Sequence, residues 1–178
     1  MAKAEKQKKK DKVIGVLNKA RSMELQAISQ YMNQHYNLDD MDYGELAAQI
    51  KLIAIDEMRH AEMFAERIKE LGGEPTAELA GKVVKGQKVQ TAFSHDSKLE
   101  DDTIDSYNEF LKLCLDNGDS TSAKIFEEII DEEQLHLNYF DDVKGHIDEL
   151  GAAYLAKIAG TPSSTGLQPQ GFAVREGE

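Results

Sequence analysis

The amino-acid sequence predicts an all-α chain: a four-helix bundle with one long crossover between its halves and a short fifth helix. Three observations carry that expectation. Apolar side chains recur at helical spacing in four separate stretches, the mark of helices with one buried face. The composition favours helix, with many Ala, Leu, Glu and Lys residues, three prolines and no tryptophan. One internal segment of about twenty residues lacks any period, and a bundle uses such a span to carry the chain along its full length. At 178 residues and 19.8 kDa, the chain fits one domain with tails and buries roughly two thirds of its unfolded surface.

The opening residues hold five lysines and almost no apolar side chain, so residues 1–11 read as a flexible basic tail and 12–159 as the folded domain. The first helix, 12–37, takes Val13, Leu17, Ala20, Ala27, Ile28 and Tyr31 as its stripe and fades at Asn37 to Asp40. Asp42 is the expected cap of a second helix, 43–71, whose stripe runs Leu46, Ile50, Ile53, Ala61, Phe64 and Ile68. Gly72 and Gly73 stop it, with Pro75 beyond. Residues 74–95 form the long connection, and a crossover of that length makes the third helix run parallel to the second. The third helix carries Leu99, Ile104, Tyr107, Leu111 and Cys114 and ends at Asn117-Gly118. The fourth starts after Asp119 or Ser120 and shows Phe126, Ile129, Ile130, Leu137, Phe140, Val143 and Ile147 up to Gly151. A short fifth helix, 152–159, precedes a flexible tail, 160–178, rich in Gly, Ser and Pro.

Composition narrows the function classes. Thirty-three acidic against 21 basic residues give a formal charge of −12, which disfavours general attraction to nucleic acid or anionic lipid and favours cations. The single cysteine, Cys114, forms no internal disulfide, which fits a reducing compartment, and no apolar run is long enough for a secretory signal or a membrane span. A cytoplasmic protein that binds neither nucleic acid nor membrane is expected.

Each apolar stripe is interrupted by ionisable residues. Glu24 lies on the face of Leu17, Ala20, Ala27 and Tyr31, and Glu57 and His60 lie between Ile53 and Phe64. Glu133 and His136 lie between Ile129 and Phe140, and Glu100 shares the side of Ile104 and Tyr107. The spacing repeats: Glu24 precedes Glu57 by 33 residues and Glu100 precedes Glu133 by 33, with a histidine three residues after each second glutamate. Every member of the first set recurs 76 residues later, and Tyr31 recurs as Tyr107, the signature of a duplicated helical hairpin. One Glu-x-x-His is weak evidence, but two, each with a glutamate at the same upstream distance, arise by chance in roughly one such chain in a thousand. Salt bridges, or side chains that snorkel to water, explain any one of these residues alone. They explain six in register poorly, because buried unpaired carboxylates cost several kcal/mol each unless cations compensate. Two divalent cations cancel four carboxylate charges. Glu and His at i and i+3 project from one side of a helix, so each pair is placed to hold one metal, with the remaining glutamates completing or bridging the two ions. Oxygen-rich ligation with two imidazoles and no thiolate points to iron or manganese rather than structural zinc.

Glu24, the block DEMRHAE at 56–62, Glu100 and DEEQLH at 131–136 resemble the bacterioferritins closely, over about Val13 to Ile158. The resemblance implies a ferritin-like bundle, twenty-four copies of which enclose a cavity that stores ferric mineral. It also implies a ferroxidase centre of two iron ions per chain on Glu24, Glu57, His60, Glu100, Glu133 and His136. Glu57 and Glu133 would bridge the irons, with Glu24 and His60 terminal on one and Glu100 and His136 on the other. Met58 matches the family's haem ligand, one methionine from each of two chains on a shared haem. It lies about 100° around its helix from Glu57 and so faces away from the core. The duplication does not reproduce it, since position 134 is Gln134.

Some positions depart from the family pattern. An auxiliary iron site that some members carry would fall on Leu52 and Asp56, where leucine offers no ligand. Tyr31 fits the place of an aromatic electron donor or, equally, of a core tyrosine bonded to Glu100 or another carboxylate. Phe64 and Tyr139 stand as substitutions at other aromatic places. His35, His95 and His146 fall outside the duplicated set and read as capping or surface residues, and Cys114 reads as a small buried hydrophobe.

The expected activity is oxidation of Fe(II) by O2 or H2O2, with Fe(III) mineralised in the shell and an electron donor acting through haem for iron release. Two rivals remain. A di-iron peroxidase or oxygenase of the rubrerythrin-like type shares the site, although one cysteine excludes an added rubredoxin module. A Dps-type DNA-protecting shell would use Lys3 to Lys12 on DNA, against an intrachain ligand set and the negative net charge.

Overall fold

Helix formation follows the apolar stripes but runs past several of their expected ends. The computed structural model describes residues 2–166 and 169–176. It contains α1 (Ala2–Asp40), α2 (Gly44–Glu70), α3 (Val89–Asp116), α4 (Ser120–Leu150), α5 (Ala152–Ile158) and α6 (Phe172–Glu176). The basic opening segment, expected as a flexible tail, is the solvated first part of α1 from Ala2 onward. Lys, Ala, Glu and Gln are strong helix formers and nothing breaks the run before Val13. Gln7 also donates to Asp11 one turn on, at 2.7 Å.

α2 is not capped by Asp42, which sits in the turn at φ 65°. The backbone N–H of Glu45 in its first turn donates instead to the Thr161 hydroxyl, 2.8 Å away and supplied from beyond α5. Asp119 caps α4 through Ser122 N–H as expected. α3 begins at Val89, earlier than the sequence pattern indicates, because Val89, Ala92, Phe93 and Asp96 continue its buried face upstream. The crossover therefore covers residues 71–88. It is fastened along α1 in order: Asn18 to Glu74 and Thr76, Ser22 to Ala80, Gln30 to Val84, and Gln34 to Gln87. Running with α1, it returns the chain to the end where α2 began, so α3 is parallel to α2, as its length predicts.

Two apolar clusters result, and the polar centre lies between them. One joins Leu17, Phe64, Ile68, Tyr107, Phe126 and Ile129; the other joins Tyr31, Leu52, Ile53, Phe93, Phe140 and Val143. Phe64 meets Tyr107 edge to face at 5.6 Å, and Tyr31 meets Phe140 at 5.4 Å. The segment from 160 onward, expected as a flexible tail, includes α6, with Phe172 buried; residues 167, 168, 177 and 178 lie outside the described residues. No helix among the described residues is long and apolar enough to cross a membrane.

Candidate metal centre

Each long helix contributes to one polar band at mid-bundle: Glu24 from α1, Glu57 and His60 from α2, Glu100 from α3, and Glu133 and His136 from α4. All six side chains are buried, none more than 2% exposed. Their places follow from the stripes, since each occupies a core-facing register position that an apolar residue would otherwise fill.

The geometry is close to two-fold. Glu57 Oε2 lies 3.1 Å from His60 Nδ1, and its Oε1 lies 3.3 Å from His136 Nδ1. Glu133 mirrors it, with Oε2 3.1 Å from His136 Nδ1 and Oε1 3.2 Å from His60 Nδ1. Each of these carboxylates thus reaches both histidines, as a bridging group must. Ligand atoms of Glu24, Glu57, His60 and Glu133 lie within 4.8 Å of one another, and so do those of Glu57, Glu100, Glu133 and His136. Glu57 Oε1 and Glu133 Oε1 are buried without a well-aligned donor, each meeting only a histidine Nδ1 that already faces the other carboxylate, although buried carboxylate oxygens are ordinarily well satisfied. Two overlapping sets of hard oxygen and imidazole donors around these under-satisfied oxygens fit a pair of iron ions.

A second layer orients the first, and its members are exchanged between the two halves. His60 Nε2 lies 3.2 Å from Glu132, of the second half, and His136 Nε2 lies 3.4 Å from Asp56, of the first. Arg59 spans the two outer carboxylates, 2.6 Å from Asp56 and 3.2 Å from Glu132. The Tyr31 hydroxyl donates to Glu100 and the Tyr107 hydroxyl to Glu24, again across the halves. Carboxylates on the far nitrogen fix each ring so that Nδ1 faces the centre.

The same contacts set the protonation of the metal-free centre. Burial first, then the charges of Glu57 and Glu133, push Glu24 well above the ordinary carboxylate range. Burial and the charges of Glu133 and Glu57 do the same to Glu100. Burial alone would lower the two imidazoles, but hydrogen bonds outweigh it and raise both well above the ordinary value: from Glu132, Glu133 and Glu57 for His60, and from Asp56, Glu133 and Glu57 for His136. Glu133 resists its own burial because both histidines hold it, and it stays below the usual range. Without metal, these shifts favour the protonated forms of Glu24, Glu100, His60 and His136.

Asp56 and Glu132 escaped the sequence pattern as partners of the histidines, although they too are 76 residues apart and directly precede Glu57 and Glu133. The auxiliary iron site has no basis here: Leu52 is buried in the apolar core, and Asp56 is engaged by Arg59, His136 and the Ala173 N–H. Met58 points out of the bundle, 50% exposed. His35 is no surface residue; it is buried, with Nδ1 2.8 Å from the Ala47 carbonyl. His95 is half-buried beside Asp96, and His146 stacks on Tyr154. Cys114 is fully buried, and burial lifts its thiol to about 12, so it is inert.

Comparison with known proteins agrees with this geometry. The ferritin-like domain family matches residues 14–150. The bacterioferritin of Desulfovibrio desulfuricans is 65% identical over 164 residues, 92% of each chain, and that of Mycolicibacterium paratuberculosis is 33% identical over 153, covering 85% of this chain and 96% of the relative. An X-ray structure of the Desulfovibrio desulfuricans protein, described for its diiron site in different catalytic states, superposes with a TM-score of 0.91 at 64% identity, covering 94% of this chain and 98% of that one. Bacterioferritin BfrA of Mycobacterium tuberculosis superposes at 0.80 and 32% identity, covering 86% and 97%. A buried carboxylate-histidine centre built twice over on a ferritin-like bundle, in a chain 65% identical to a bacterioferritin over 92% of its length, places this chain in the bacterioferritin family.

Proposed function

We propose that the chain is a ferroxidase that binds two Fe(II) as substrate at Glu24, Glu57, His60, Glu100, Glu133 and His136 and uses O2 or H2O2 as oxidant. Glu57 and Glu133 hold both irons; Glu24 with His60, and Glu100 with His136, complete one iron each. The observation that carries this reading is the placement of Glu57 and Glu133, whose two oxygens each face a different histidine. Two adjacent irons supply a two-electron oxidation. The protein holds the geometry: Asp56 and Glu132 keep the imidazoles aimed inward, Tyr31 and Tyr107 restrain the terminal glutamates, and the flanking aromatic clusters exclude water. As iron enters, Glu24, Glu100 and both histidines give up the protons they hold in its absence.

The relatives' shared identity supports assembly of this chain with its own copies, and the reading extends to a 24-mer shell that stores Fe(III) in the cytoplasm. In that shell Met58 of two chains ligates one haem, through which an electron donor mobilises the iron; axial methionine is an established haem ligand, and an exposed methionine next to the centre suits the role. Glu133→Ala tests the centre. It removes a ligand to both irons and no apolar packing, so the shell should assemble while rapid Fe(II) oxidation disappears. Initial oxidation rates equal to the parent's would exclude Glu133 from the centre.

A further inference from the structure

The end of the chain returns to the metal centre. It is fastened to α2 at two places, and at each a glycine allows backbone to approach where a Cβ would not fit. At the first, Tyr43 bridges Thr161, and a Cβ on Gly44 would lie 2.0 Å from the Thr161 carbonyl oxygen. At the second, the Ala173 N–H donates to Asp56 Oδ2 at 2.8 Å, and a Cβ on Gly171 would lie 1.5 Å from Asp56 Oδ1. Gly44 and Asp56 are twelve residues apart on α2, a rise of about 18 Å, well within the reach of the nine residues that link Thr161 to Gly171. Phe172, buried, is held between α2 and α4 with its ring 6.0 Å from His136 and 5.1 Å from Tyr139. Its other side lines a cavity of about 310 Å³ together with Glu45, Leu46, Tyr139, Asp142 and Tyr154. One aromatic ring therefore separates a cavity with two carboxylates in its wall from a histidine of the centre.

We propose that Gly171, Phe172 and Ala173 form a latch that closes this side of the metal centre, and that its release opens a path for metal ions between the carboxylate-lined cavity and His136. The inference rests on the metal-centre reading above. Closed, the latch fills the α2–α4 groove with an apolar ring and adds a donor to the carboxylate that aligns His136. At its tip the latch is held by the Ala173 N–H bond to Asp56 and by the Phe172 ring, contacts that local opening breaks without unfolding the bundle. The carboxylates of Glu45 and Asp142 favour cations in the cavity beyond.

The test uses Co(II), which is not oxidised by air in such a site, on the full chain, on Gly171→Ala and on a chain ending at Gln170. Uptake is followed by absorbance, release by transfer to a chelator. Opening the latch should speed both uptake and release by about tenfold or more, the loss of about one hydrogen bond and its apolar contact, with the stoichiometry of the full chain kept and release speeded more than uptake, because Asp56 loses the Ala173 N–H that helps it align His136. Unchanged rates in both variants would overturn the latch. So would faster release with unchanged uptake, since that pattern means a loosened site rather than an opened path. A full chain that takes up no Co(II) would instead overturn the metal-centre reading, and the latch with it.

Discussion

Loading the centre with divalent metal should expel close to four protons for every two ions bound. The perturbation is a titration of metal-free protein with a redox-inert ion such as Co(II). The magnitude follows from four groups that hold protons above their ordinary values: Glu24 and Glu100, raised by burial and neighbouring carboxylates, and His60 and His136, raised by their carboxylate partners. Each of the four must free a lone pair to bind metal. Were all four at their ordinary values of 4.5 and 6.5, release at about pH 6.5 would total only about one proton, half from each imidazole. Raised values keep all four protonated in the metal-free centre, so release approaches four. The sign for affinity is fixed by the same count: protons compete with metal, so binding strengthens as pH rises, by up to about a hundredfold per unit for each ion that displaces two. Proton release is read with an indicator dye in weak buffer, or by calorimetry in two buffers of different ionisation enthalpy. A total near one proton would refute the claim that partners and burial hold the centre protonated.

Two substitutions probe the surroundings. Met58→Leu keeps an apolar side chain of similar size on an exposed helix face, so the fold should persist while haem is lost; a retained haem absorption band refutes the assignment. Glu132→Gln weakens the bond that aims His60, and should lower metal affinity by about 10–100-fold, measured by chelator competition; Glu127→Gln, on the exposed side of the same helix, should leave it unchanged. Equal affinities in the two variants would remove Glu132 from the orienting layer.

The bundle and the six inward residues were legible because both are local patterns: a helical stripe, and ionisable residues that break it at repeated intervals. What escaped the sequence depends on contacts between distant segments. Asp56 and Glu132 stand next to Glu57 and Glu133, yet adjacency on a helix means a turn of about 100°, and only the crossing of α2 and α4 brings each to the other half's histidine. Asp42 has the right chemistry for a cap, but Thr161, 116 residues from Glu45, takes the role. The early start of α3 was hidden by the exposed polar residues Gln90, Thr91 and Ser94 that separate its buried positions, and by Lys88, which offers no side-chain cap. The first turns of α1 have no apolar face at all, so propensity alone marks them as helix. The latch is the clearest case: a glycine and a phenylalanine in a polar segment acquire meaning only from Asp56 and His136 beneath them.

Aerobic titration of metal-free protein with Fe(II), following oxidation in stopped flow and the iron retained after gel filtration, separates a storage ferroxidase from its alternatives. A fast phase that saturates at about two irons per chain is expected, followed by slower uptake of many more into a large particle. A fast phase that saturates with no retained excess would contradict storage and leave an oxygen-reactive di-iron enzyme. The absence of a fast phase would contradict the ferroxidase centre itself.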